Sequence, residues 1–165
     1  MAKIMFKGEY VNTKGSLPNE GKQAPNFTLV RQDLSEVTLE AYGNKTKILN
    51  IVPSLDTGVC AASAKKFHEK LSERSDVIVV NISMDLPFAQ GRFCATESLD
   101  GVETLSAFRS SFSDDYGVKM VDGPLSGLCS RAVVVIDKDN KVIYTEQVPE
   151  ITQEPDYASV LNCLS

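Results

Sequence analysis

Three short runs of mostly β-branched residues constrain this chain more than any other feature: Lys47-Ile48-Leu49-Asn50-Ile51-Val52, Val77-Ile78-Val79-Val80-Asn81-Ile82 and Ala132-Val133-Val134-Val135-Ile136. Near-continuous apolar runs of this length describe strands covered on both faces. Between the first two lies Val59 to Arg74. There Cys60, Ala64, Phe67 and Leu71 share a helical stripe, while Lys65, Lys66, Glu69 and Lys70 fall elsewhere. Strand, helix, strand in that order predicts a βαβ unit.

Ile4 to Lys14 reads as a hairpin turning at Gly8-Glu9, and Phe27 to Val30 as a strand. Val37 to Leu39 is a short extended piece before the Gly43-Asn44 turn. Pro53 ends the first long run, because proline donates no ladder hydrogen bond. Pro87 suits the first turn of a helix that carries Phe88, Phe93 and Cys94. Thr104 to Phe108 fits neither period, and Tyr116-Gly117 closes a short helix. Asp137 to Asn140 is a turn whose hairpin partner is Lys141 to Tyr144. The tail from Pro155 is a helix with Tyr157, Val160, Leu161 and Leu164 on its apolar face. These elements define an α/β fold with a mixed sheet and helices on both faces. At 165 residues the chain suits one domain, 1–165.

The net charge is -5 and the cations are scattered, with Lys65-Lys66 the only basic pair. Phosphate backbones are bound by clustered cations, so nucleic acid is not an expected partner. The opening MAKIMFKGEYVNTKGSLP has no apolar stretch of the length a secretory signal needs. No window is apolar enough to span a bilayer. No membrane association and a cytoplasmic location are the expectations.

Four cysteines, Cys60, Cys94, Cys129 and Cys163, occur without a CxxC pair, and His68 is the only histidine. Structural zinc draws its ligands from closely spaced pairs, so neither metal nor cofactor is expected. In a reducing compartment such cysteines are buried thiols or redox groups.

Cys60 is the informative one. In Pro53-Ser54-Leu55-Asp56-Thr57-Gly58-Val59-Cys60, a buried strand delivers the chain to a tight loop, and Cys60 falls in the first turn of the helix. Helix starts expose unpaired N–H groups and a partial positive charge, and a thiol placed there is drawn toward the thiolate. Asp56 opposes this if it faces the sulfur; a capping or solvent-facing role is expected for it. The placement also fits a small buried hydrophobe at the head of an amphipathic helix. Arg131, from its position alone, reads first as a surface ion pair at a strand end.

P-x-x-x-T-x-x-C, as Pro53, Thr57 and Cys60, matches the active-site signature of peroxiredoxins. PSLDTGVCAASAKKFHEK, MDLPFAQGRFC, VDGPLSGL and RAVVVIDKDNKVIY resemble the thiol peroxidase subfamily, the atypical two-cysteine kind, and the likeness spans essentially the whole chain. Gly58 stands where many peroxiredoxins have proline.

The resemblance implies a thioredoxin-like (peroxiredoxin) fold with an N-terminal β-hairpin extension. It implies that Cys60 is the peroxidatic cysteine, shielded by Pro53, with Thr57 bonded to the sulfur or the peroxide oxygen and Arg131 as the guanidinium of the site. Cys94 is implied as the resolving cysteine, thioredoxin as the reductant, hydrogen peroxide or an organic hydroperoxide as substrate, and a homodimer as the assembly. If both cysteines begin in helical turns, one or both must unwind, because a disulfide needs Cα atoms within about 7 Å. Cys129 is a competing resolver if 129–131 is extended, since alternate residues then share a face. Cys163 reads as core or partly exposed. His68 lies roughly 12 Å of helical rise from Cys60, too far to serve as its base, and reads as solvated. A thiol-switch adaptor without turnover and a cysteine hydrolase are the other readings of the same residues.

Overall fold

Residues branched at Cβ fit an extended backbone and pack well on a pleated surface, and the three long runs occupy the middle of one sheet. The computed structural model describes residues 2–99 and 102–164. The chain begins with β1 (Lys3–Phe6) and β2 (Glu9–Asn12), a hairpin, followed by β3 (Thr28–Val30) and β4 (Glu36–Thr38). Then come β5 (Thr46–Ile51), α1 (Gly58–Leu71), β6 (Val77–Ser83), α2 (Pro87–Thr96) and β7 (Glu103–Ser106). A single turn of helix, α3 (Phe112–Asp115), precedes β8 (Ala132–Ile136), β9 (Val142–Gln147) and α4 (Tyr157–Asn162).

Apart from the hairpin, the strands form one sheet in the order β4-β3-β7-β6-β5-β8-β9. β5, β6 and β7 are parallel, while β8, β9, β3 and β4 join antiparallel. This is the mixed α/β sheet expected of a thioredoxin-like fold. One face is packed by Leu49, Ile51, Val134 and Ile136 with Phe112 and Tyr116. On the other, Ile48, Val133 and Val135 meet Phe67 of α1 and Val160 of α4. The Phe67 and Tyr157 rings meet edge to face at 5.1 Å. Truncating a buried phenylalanine such as Phe67 to alanine costs about 3–5 kcal/mol.

The asparagines that interrupt the apolar runs answer each other. Asn50 of β5 donates through Nδ2 to Asn81 Oδ1 of β6 at 2.8 Å. The stretch 104–108, ambiguous as sequence, supplies β7, and residues 39–42, not read as helix, form a 3-10 turn. No helix among the described residues is long and apolar enough to cross a membrane.

Two consequences of this topology set up the site. β5 and β6 run parallel with Ile51 opposite Ile82, so their carboxyl ends emerge side by side. From them the chain enters α1 and α2, both crossover helices. The N-terminal hairpin, meanwhile, is bonded to the segment after β9: Met5 N–H donates to Pro149 O at 2.8 Å, and Ile151 N–H to Met5 O at 2.9 Å.

Candidate active site

Cys60 is the third residue of α1, whose N-cap is the extended Thr57. It is fully buried. It packs in one apolar cluster with Val52, Leu55, Ala64, Phe93, Cys94 and Leu99. Cys60 at the head of α1 and Cys94 near the end of α2, 34 residues apart in sequence, therefore share one small core. All four cysteines carry thiols.

Arg131 lies just before β8 and is only 2% exposed. Its Nη2 donates to Cys60 Sγ at 3.2 Å, and its Nε to Ile151 O at 2.7 Å. Nη1 is buried and has no hydrogen-bond partner among the described residues. The expected surface ion pair is therefore wrong. Among the described residues no carboxylate is paired with Arg131, and its guanidinium meets the sulfur. Antiparallel pairing places the start of β8 beside the end of β5, with Ala132 opposite Ile51, and this carries Arg131 to the head of α1.

Pro53 is buried. With Thr57, Val59, Leu125, Leu128 and Arg131 it lines a mostly apolar cleft of about 490 Å³, to which the hairpin adds Phe6. The Thr57 hydroxyl donates to Ser54 O at 3.1 Å rather than to the sulfur. Its lone pairs can accept from an O–H entering the cleft. Asp56 is exposed and does not cap the helix, a place taken by Thr57.

Cys94 is buried in α2. Gln32, from the turn between β3 and β4, brings its Nε2 to 3.5 Å from Cys94 Sγ and donates to Thr104 Oγ1 at 2.8 Å. The other two cysteines are elsewhere. Cys129 does not share the face of Arg131, because the chain bends at Arg131 and breaks strand alternation. It packs instead in the core with Phe112 and Tyr116, and burial, helped by the Asp85 charge, pushes its thiol up to about 12. Cys163 is half-buried at the end of α4, donates to Val160 O at 2.9 Å, and is shifted upward by burial. His68, read as solvated, is half-buried beside Phe67 in a shallow cavity.

Sequence reasoning missed three groups around the site. Ser54, Asp85 and Gln32 touch it through contacts 30 to 62 residues apart. The only local signal was a carboxylate immediately before Leu86-Pro87, at a strand-to-helix junction.

A buried thiol at a helix start, held by a guanidinium beside a narrow cleft in a thioredoxin-like sheet, defines the peroxiredoxin class of thiol enzymes. The redoxin family model matches residues 19–161. The chain is 49% identical over 164 residues to thiol peroxidases of Mycobacterium bovis and Mycobacterium tuberculosis, covering 99% of each. It superposes on a peroxiredoxin-like protein from Aquifex aeolicus with a TM-score of 0.92 at 40% identity, over 98% of this chain and 95% of that one. A thiol peroxidase from Chromobacterium violaceum shares the fold at a TM-score of 0.91 and 24% identity, over 98% of this chain and 94% of that one. The chain belongs to the redoxin family and, within it, to the thiol peroxidases.

Proposed function

We propose that this chain, acting as one domain over 1–165, is a peroxidase that reduces hydrogen peroxide and organic hydroperoxides through Cys60, with Cys94 as resolving cysteine and thioredoxin as reductant. The observation that carries the reading is the Arg131 guanidinium. It reaches the Cys60 sulfur at 3.2 Å through one nitrogen and keeps a second, buried nitrogen unpartnered.

In the first step the Cys60 thiolate attacks one peroxide oxygen. An S–O bond forms as the O–O bond breaks, and the leaving oxygen takes a proton and departs as water or an alcohol. Negative charge moves from sulfur to that oxygen. Donors fixed along its path stabilise the transition state more than the ground state, and Arg131 Nη1 is suited to this task. Thr57, donating to Ser54 O, accepts the peroxide O–H and orients it. Pro53 and Val59 keep bulk water off the sulfur. The apolar wall of Phe6, Leu125 and Leu128 fits the carbon chain of an organic hydroperoxide.

In the second step Cys94 attacks the sulfenic acid. An S–S bond forms, the S–O bond breaks, and hydroxide leaves with the Cys94 proton as water. Both cysteines sit in helices, so the first turn of α1, the Cys94 segment, or both unwind for this step. A dithiol reductant of the thioredoxin type then takes up the disulfide and becomes oxidised itself. A cytoplasmic, homodimeric enzyme completes the proposal.

The test is an NADPH-coupled assay with thioredoxin and its reductase. Wild type turns over, while Cys60→Ser and Cys94→Ser do not. Cys94→Ser still consumes one equivalent of peroxide and leaves a trappable sulfenic acid. Turnover by Cys60→Ser overturns the reading. Consumption of one equivalent without turnover in wild type makes the protein a thiol switch instead.

A further inference from the structure

Asp85 lies between β6 and α2, where the chain leaves one parallel strand for its crossover helix. Its carboxylate gathers three donors. Oδ1 accepts from the Ser54 hydroxyl at 2.7 Å. Oδ2 accepts from the Leu55 N–H at 2.8 Å and from the Ser83 hydroxyl at 2.8 Å. The Ser83 oxygen also accepts from Gln90 Nε2 of α2 at 3.1 Å, and the Ser106 hydroxyl at the end of β7 donates to the Asp85 carbonyl. One side chain thus ties the loop that precedes Cys60 to the strand end and to the helix that carries Cys94.

Among the described residues, the side-chain hydrogen bonds between residues 53–57 and the 84–90 segment all end on the Asp85 carboxylate. Alongside it lies a cleft of about 490 Å³, with Leu55 and Asp56 on one wall and Ala89, Arg92 and Phe93 on the other. Beside that cleft the carboxylate adds a polar tie to the apolar cluster that Leu55 and Phe93 already share. Hydrogen bonds to an ionised acceptor are shorter and stronger than neutral ones, so three of them fix the carboxylate firmly. Two of them hold the loop that leads into the Cys60 turn, and a displacement of that loop breaks them.

We propose that Asp85 is a positioning residue whose carboxylate clamps Ser54 and Leu55 so that Cys60 faces Arg131, and whose release accompanies the opening that lets Cys60 meet Cys94. The proposal rests on the reading of Cys60 and Cys94 as the reacting pair. The clamp favours the closed arrangement, in which peroxide is attacked, over the open one, in which the disulfide forms. Weakening it therefore moves the two chemical steps differently: oxidation of Cys60 slows, and disulfide formation does not. A carboxylate needed only for folding slows both.

The experiment separates the steps by quenched-flow mass spectrometry of reduced protein mixed with hydrogen peroxide, scoring sulfenic acid and disulfide against time. Asp85→Asn keeps the shape but leaves one acceptor oxygen for three donors. The expected result is a fall of about tenfold in the rate constant for sulfenic acid formation, with disulfide formation unchanged or faster. Ser54→Ala removes a single donor and is expected to give a smaller fall of the same pattern, which keeps the test decisive if Asp85→Asn folds poorly. Amide exchange at Leu55 is expected to quicken in Asp85→Asn, while Ile48 and Val134 stay protected. Unchanged sulfenic acid formation in both variants overturns the clamp, and so does an equal slowing of both steps. A wild type that forms no disulfide between Cys60 and Cys94 overturns instead the reading on which the clamp rests.

Discussion

Arg131 shows what a single position in a sequence conceals. As text it is a cation between Ser130 and Ala132, just ahead of a run of valines. In the fold it is buried, fixed at one end by Ile151 O and pressed against Cys60 Sγ at the other. No rule of local pattern separates that from an exposed strand-end charge, because its burial depends on Ile151 and Cys60, 20 and 71 residues away. At Cys60 the local sequence left two readings open, a thiol drawn toward thiolate at a helix start and a small buried hydrophobe. Lysine cannot reproduce the Arg131 arrangement. One ammonium on a flexible stem cannot hold a carbonyl, a sulfur and an incoming oxygen from a rigid fork. Arg131→Lys is expected to lower the rate constant for Cys60 oxidation by hydroperoxide by about 10²-fold, the scale of losing one fixed transition-state donor. Quenched-flow kinetics on the reduced protein measures it, and a fall of less than about threefold would remove Arg131 from the chemistry.

At the scale of elements, the legible parts were those whose residues carry their own instructions. β5, β6 and β8 announce themselves by β-branched runs, and α1 by its apolar stripe. β7 did not, because Thr104 and Ser106 sit in the sheet with side chains engaged by Gln32 and the Asp85 carbonyl rather than by apolar packing. Nor does any residue state that β8 lies antiparallel beside β5, which is what carries Arg131 to α1. The first turn of α1 yields a prediction of its own. Gly58 opens that turn, its φ is not positive, and an added Cβ would meet nothing within 4 Å. Alanine there restricts the unfolded turn more than the folded one and stabilises it by about 0.4–1 kcal/mol. If unwinding of this turn precedes disulfide formation, Gly58→Ala lengthens the life of the sulfenic acid by about two- to fivefold. More of the enzyme then reaches sulfinic acid at high peroxide. Mass spectrometry of the sulfinic-to-disulfide ratio decides it, and an unchanged ratio means that the Cys94 segment alone opens.

Across the whole molecule, distant parts converge on Cys60 by backbone rather than by sequence proximity. The N-terminal hairpin bonds to Ile151 through Met5, Ile151 O holds Arg131, and Arg131 holds the sulfur. The opposite face of the sheet buries a cysteine of its own. Cys129 is fully buried among Phe112 and Tyr116, and burial first, the Asp85 charge second, raise its thiol from an ordinary 9.0 to about 12. A thiol raised in this way binds its proton more tightly in the folded chain than in the unfolded one. Below about pH 9 both states keep the proton, and this group gives stability no dependence on pH. Between about 9 and about 12 the unfolded chain releases the proton while the folded chain retains it, so stability falls as pH rises. Tyr116 is also shifted upward by burial and adds to the same fall, but it is present with or without the Cys129 sulfur and cancels in a difference. Cys129→Ala is expected to lose about 1–3 kcal/mol at neutral pH through the space left behind. It lacks the titrating thiol, however, so its stability declines less steeply above pH 9, and the two curves converge. Urea unfolding of both reduced proteins at intervals from pH 8 to 11 measures the gap, and a gap that stays constant across that range would mean that Cys129 ionises as freely in the folded protein as in the open chain.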